Sequence, residues 1–341
     1  MPVIIPERHK VETAAYYCYK LGGEHPGHDQ ADWYQGEQLV FLAENYHVIA
    51  NCALRADQKQ VIGPKENRRC RYCGATGPFK MEAHAVPELI GNRAIISNEE
   101  CDGCNKLFAK SLEDHLGKML NGVLNLTRVT GKKGVPTLTT KDRHSRVEVR
   151  GDDVSITAVQ TDPLVSWDPA TKTVTVTTHT QPHVPLAVFK TLTKMALAIM
   201  PAAELQHFHH AIAWIRDPDH ANGSADFALS AKCYLTFLPG PMPPEIGWVR
   251  LLRRRSADAD LPYMLLVTQF RNAAMQIMLP CCPLDNHWVG QKVRLPPYPA
   301  FYGYGYYWGE PTREVRDLSS AMKQSIPFRG QLKCDSFSDP R

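Results

Sequence analysis

Apolar positions along this chain change period more than once. Ala14, Ala15, Tyr16, Tyr19 and Leu21 recur at helical spacing, Gly22-Gly23 interrupts them, and Trp33, Leu39 and Leu42 resume the pattern. The spacing predicts two helices between about Lys10 and Tyr46, the second running from about Gln30 through Leu42 with Asp29 as its cap. Residues Lys80 to His84 read as a short strand and Ile95-Ile96 as another. From Cys104 to Leu120, Leu107, Phe108, Leu112, Leu116 and Leu120 mark a helix. Gly131-Lys-Lys-Gly134 reads as a turn-rich linker. Beyond it the runs are short and alternating: Val147 to Val149, Val154 to Ala158, and a hairpin of Val165 to Trp167 with Val174 to Val176 about the turn Asp168 to Thr171. Helices over Leu186 to Met200 and Ala202 to Ile215 flank Pro201, a residue suited to a first helical turn. Strands resume at Cys233 to Phe237, Trp248 to Leu252, Met264 to Gln269 and Met275 to Leu279. The expected fold is α+β in three parts: an N-terminal helical segment over 1–60, a small strand–loop–strand–helix module over 61–134, and a mixed α+β domain over 135–341.

Composition adds little to that picture except by exclusion. A chain of 341 residues, 43% apolar and 22% charged, has the balance of an ordinary globular protein of about two domains. No apolar run is long enough to span a membrane, and Met1 to Pro6 lacks the stretch of a signal peptide, so a cytoplasmic protein with reduced thiols and no membrane partner is expected. The net charge of +4 is small, yet Lys65, Arg68, Arg69 and Arg71 crowd one short segment, and Lys132, Lys133 and Lys141 follow the module. Such a basic rim suits phosphate. Arg250 and Arg253 to Arg255 form a second cluster, which strand alternation would split between two faces.

Chemistry concentrates in the module. Cys70-x2-Cys73 and Cys101-x2-Cys104 are separated by 27 residues, a pattern that can supply four thiolates to a closed tetrahedral Zn²⁺ site. Between them stands Ala83-His84-Ala85-Val86-Pro87, and Asn105 directly follows the last thiol. The other six cysteines, Cys18, Cys52, Cys233, Cys281, Cys282 and Cys334, show no such spacing and read as buried or inert. Two further groups carry less. The aromatic run Tyr298 to Trp308 reads as a tail packed across a surface or as a stacking platform. His207, His209 and His210 lack a nearby carboxylate or cysteine and read as solvated or core-edge histidines.

Cys70-x2-Cys73, Ala83-His84-x2-Pro87, Gly91-Asn92 and Cys101-Asp102-Gly103-Cys104-Asn105, in that order and followed by Lys106-Leu107-Phe108, resemble the HNH endonuclease superfamily, in its zinc-stapled ββα-metal branch. The likeness covers about fifty residues; Pro185-Leu186, Phe189-Lys190 and Lys194 more faintly resemble a C-terminal extension of that branch. Separately, Ala15-Tyr16, Gly23, Gly27-His28-Asp29 and Trp33 resemble a short helical domain of unknown function found in bacterial proteins.

The HNH resemblance implies hydrolysis of DNA phosphodiester bonds. It makes His84 the general base, Asn105 a ligand of a catalytic Mg²⁺ or Mn²⁺, and Asn92, or failing that Asn98, the residue that orients the histidine loop. It leaves the four cysteines to structure, and it implies roles such as restriction or prokaryotic antiphage defence. The C-terminal domain is then expected to recognise substrate, a partner or an effector, and a double-strand cut would call for a homodimer. One position departs from the pattern: where many members have a metal-binding aspartate before the base, this chain has Ala83. Glu82 alternates to the other side of a regular strand. Glu113, eight residues past Asn105 and about 80° off its face in a regular helix, is the candidate to approach the site as a further ligand of the catalytic cation or to anchor it from behind, and His115 is a further donor expected to be exposed. The alternative reading is a zinc-stabilised binding module whose chemistry was lost with that aspartate.

Overall fold

The computed structural model describes residues 3–24, 26–139, 145–151, 153–157, 164–221, 231–257, 260–288, 297–299, 309 and 311–333. Helices α1 (Arg8–Leu21) and α2 (Asp29–Asn45) form the N-terminal hairpin. Asp29 does not cap α2: it is the first helical residue, preceded by His28, and no side chain caps that end. Val40 and Leu42 are buried on α2, whereas Leu39 is exposed. The chain then enters a strand that the helical reading of this segment did not foresee, β1 (Tyr46–Ala53).

The module follows, with β2 (Gln60–Ile62), β3 (Ala83–His84), β4 (Ile95–Ser97) and one long helical run. Strand β4 lies between β2, parallel to it, and β3, antiparallel. The helical run is α3 (Asp102–Phe108), a π-helical turn over Ala109–Glu113, and α4 (Asp114–Leu126). Its buried stripe, Cys104, Phe108, Leu112, Leu116, Leu120 and Leu124, repeats every four residues. In an unbroken α-helix that repeat drifts by about 40° per step and would wind some 200° around the axis over five steps. A π turn absorbs one extra residue and takes back about 100° of that drift, which helps keep the stripe on the core.

Two small sheets come next in the chain: β5 (Leu138–Thr139), β6 (Arg146–Arg150) and β7 (Asp153–Thr157) make one, and β8 (Val165–Asp168) and β9 (Thr173–His179) begin the other. Then come α5 (Pro185–Ile199), α6 (Ala202–Leu205), α7 (His209–Arg216), β10 (Lys232–Phe237), β11 (Gly247–Arg254), β12 (Met264–Phe270), β13 (Ala273–Met278), β14 (Thr312–Asp317) and β15 (Pro327–Lys333), the last completing the β15–β9–β8 sheet. Pro201 sits at the N-cap of α6, just outside the helical turn expected for it.

The large antiparallel sheet has the order β1–β11–β12–β13–β10–β14. The N-terminal strand β1 thus pairs along β11 of the C-terminal segment. Cys233, Leu235, Val249, Leu251, Leu266, Met275 and Ile277 join one core cluster with α5. Leu252, Leu265, Val267 and Met278 meet Leu42 and Tyr46 in another. Every residue of α5 is buried. It touches β11 and β12 as well as α4, α7 and the π turn, so the module and the large sheet share one apolar core. A helix enclosed on all sides should be apolar all round. Thr191 and Thr193 satisfy their hydroxyls on the carbonyls of Ala187 and Phe189, but Lys190 and Lys194 need partners. No helix among the described residues is long and apolar enough to cross a membrane.

Candidate active site and metal centre

The four knuckle cysteines come together although Cys73 and Cys101 are far apart in sequence. Their Sγ atoms all lie within 4.8 Å of one another, with Cys73 and Cys101 at 3.5 Å. Tetrahedral Zn–S bonds of about 2.3 Å require S···S separations near 3.8 Å, so the donor set fits a structural zinc. The Cys104 N–H points at Cys101 Sγ (3.4 Å), and the Cys70 thiol is pushed down by its contact with Cys104 together with backbone N–H groups of Cys101, Cys73 and Tyr72. Among the described residues no other cluster of histidine, cysteine and carboxylate groups is gathered this closely.

The staple fixes a second layer. Asp102 accepts from the backbone N–H of Lys80 (3.1 Å) and Met81 (2.9 Å), tying the start of α3 to the approach to β3. Those N–H groups, Met81 first, hold its carboxyl below the usual range. On β3 the side chains alternate: Ala83 is 1% exposed, opposite Ser97, while His84 is half-buried on the other face. A residue sealed to that degree offers no open ground for a hydrated cation. Glu82 turns outward and pairs with Lys59 (2.6 Å).

His84 Nδ1 lies 3.8 Å from Glu88 Oε2. Glu88 is itself held by Arg93 (2.9 Å), which also donates to the carbonyls of Thr130 and Gly131. Burial lowers the His84 pKa, opposed by the negative charge of Glu88, Glu82 and Glu113 and reinforced by Lys194. Gly91, at φ 91°, closes the short turn Glu88–Ile90 in a conformation that favours glycine, and brings Asn92 under the loop. Asn92 is fully buried. It donates to the carbonyls of Val86 (2.6 Å) and Ile95 (3.1 Å) and accepts from the N–H of Ala94 (3.1 Å) and Ile95 (2.9 Å). Asn98 bonds instead through its backbone, to Ile62.

Asn105 is half-buried in the first turn of α3. The π turn lies between it and Glu113, and the Asp114 N–H reaches the carbonyl of Ala109, five residues back. With about one extra residue absorbed, Glu113 swings from about 80° to about 20° off the face of Asn105. Glu113 Oε1 accepts from Lys194 Nζ at 3.2 Å. His115 is half-buried rather than exposed: its Nδ1 accepts from the Val184 N–H, and its ring packs edge-on against His220.

Residues 70–121 match the HNH endonuclease family. This stretch is an HNH module. The match begins at Cys70 and ends within α4, covering all four cysteines, His84, Asn92, Asn105 and Glu113. No curated protein and no solved structure matches the chain significantly.

Around the HNH module several candidate phosphate contacts are spoken for. Arg71 is no part of a basic rim: its side chain is largely buried, paired with Glu99 and donating to the carbonyls of Ala198 (2.8 Å) and Met200 (3.2 Å) at the end of α5. Lys65 and Arg69 remain exposed, as do Lys132 and Lys133 at the tip of the tight Gly131–Gly134 turn; Lys141 lies outside the described residues. The second arginine cluster serves the fold. Arg250 stacks over Trp248 and donates to Tyr298, Arg253 pairs with Glu204, Arg254 with buried Asp285, and Arg255 donates to the Ala43 carbonyl. His207 packs on Tyr263, and the His209 and His210 rings lie against each other at a 42° tilt. Cys281 and Cys282 are buried, their thiols pushed up by burial. Cys334 and the aromatic residues Phe301 to Trp308 lie outside the described residues. Glu88, Glu100 and Lys194 stand beside His84 and Glu113 without belonging to the sequence motif. Their sequence signals are Glu88 four residues past His84 and two lysines, Lys190 and Lys194, inside a mostly apolar helix.

Proposed function

We propose that this protein is a metal-dependent endonuclease that hydrolyses phosphodiester bonds of DNA, with His84 as general base. The observation that carries this reading is the half-buried His84, in an HNH module, lowered in pKa by burial and flanked by Glu88. An imidazole kept neutral near pH 7 can take a proton from water, and a carboxylate beside Nδ1 favours the proton on that nitrogen, leaving Nε2 free to accept. Asn92 holds the loop behind His84 through its four backbone bonds. Asn105 and Glu113 would hold a Mg²⁺ or Mn²⁺, which when bound supplies positive charge for the scissile phosphate and the leaving oxygen. Glu113, brought round by the π turn, stands in for the aspartate absent at Ala83. The cysteines keep strand, loop and helix in register and take no part in the reaction. Exposed Lys65, Arg69, Lys132 and Lys133 favour a polyanionic substrate.

Nicking of supercoiled plasmid in Mg²⁺ or Mn²⁺ tests this. Wild type is expected to cleave, and His84→Ala and Asn105→Ala to lose at least about 100-fold in rate. A wild type inert with every divalent cation would leave only a zinc-stapled binding module; undiminished cleavage by His84→Ala would remove the base from the mechanism.

A further inference from the structure

Lys194 belongs to α5, more than seventy residues beyond the end of the HNH match, yet its ammonium sits at the back of the candidate site. Its side chain is 1% exposed. Nζ donates to the backbone carbonyl of His84 (3.0 Å) and to Glu113 Oε1 (3.2 Å), and lies 3.1 Å from Glu100 Oε2 without hydrogen-bond geometry. An ammonium has three N–H donors, and three acceptor groups surround it here. The Phe108 ring, 5.8 Å away, closes another side.

A buried cation needs one counter-charge, and Glu100, itself fully buried, supplies it. The contacts to His84 and Glu113 go beyond that need. They join two elements that are separate in the module, the strand carrying the base and the helix carrying the carboxylate. The position of α5 is fixed from the opposite direction, since Arg71 of the first knuckle grips the carbonyls of Ala198 and Met200. The ammonium therefore has a defined height along the module. Displacing it removes a hydrogen bond from the His84 carbonyl and from the Glu113 carboxylate together.

Resting on the nuclease reading above, we infer that Lys194 is a positioning residue of that site, setting His84 against Glu113 from outside the HNH module. A misplacement of about 1 Å at a reacting group can cost about 100-fold in rate.

The test uses the full chain with saturating Mn²⁺. Lys194→Met is expected to lower kcat about 100-fold while KM for plasmid DNA and the zinc content stay within twofold of wild type. Lys194→Met/Glu100→Gln removes both buried charges, so it should regain the thermal stability that the single variant loses, yet remain as slow. A role in charge balance alone predicts the opposite, recovery of cleavage together with stability, and that result overturns the inference. So does a Lys194→Met protein that cleaves at the wild-type rate, which leaves the nuclease reading intact. A wild type inactive with any divalent cation overturns both.

Discussion

At the scale of single residues, Ala83 and His84 are neighbours on a two-residue strand with opposite surroundings. Ala83 faces the core and His84 the site, so an acidic group cannot be restored at 83 without burying it. His84 feels burial, which lowers its pKa, and the carboxylates of Glu88, Glu82 and Glu113, which oppose that; the net direction is down. A general base acts in its neutral form, so kcat/KM should rise with pH and level off, with its midpoint below the ordinary histidine value of about 6.5. A pH–rate profile with its midpoint above that value would show that His84 is not the group titrating. Much of this scale was legible in the sequence. The cysteine spacing, His84 and the Gly91-Asn92 pair are local signals, and each falls where strand, loop and helix converge. Glu88 and Lys194 were not legible as parts of the site, because their relevance depends on a fold-back of four residues and on a helix over a hundred residues away.

At the scale of elements the decisive feature is the π turn at Ala109–Glu113. A reading built on a period of 3.6 assumes an unbroken helix and therefore places Glu113 on the wrong face. The turn also takes a hydrogen bond from outside the helical run. Ser111 O accepts from His220 Nε2 (3.1 Å), contributed by the loop after α7, and burial lowers the His220 pKa. His220→Phe keeps an aromatic ring beside His115 but removes the hydrogen bond to that carbonyl, so it should cost about 0.5–1.5 kcal/mol. Thermal or urea denaturation reads this directly. An unchanged stability would mean that the turn does not depend on its external partner. Other elements escaped the sequence for a different reason. Strands β1, β2, β14 and β15 are short or lie at sheet edges, where only one side is paired and the apolar alternation is weak; β1 bears exposed Val48 and β14 exposed Val315.

At the scale of the molecule, the HNH module and the C-terminal segment are joined by a common core and by two buried clamps, Arg71 on the end of α5 and Lys194 on the base of the site. The N-terminal segment contributes a strand to the large sheet. His84 and Glu113 are thus held by contacts from well outside the matched 52 residues. The proposed mechanism requires this frame to place a divalent cation opposite His84 with Ala83 in the aspartate's position. Crystals of the full chain grown with Mn²⁺ and measured at the manganese edge test that claim most directly. One anomalous peak is expected within about 2.0–2.6 Å of both the Asn105 amide oxygen and a Glu113 carboxylate oxygen, the range of hard-cation oxygen ligands. A Mn²⁺ held elsewhere, by Glu82 or Glu88 with Asn105 and Glu113 empty, would contradict it.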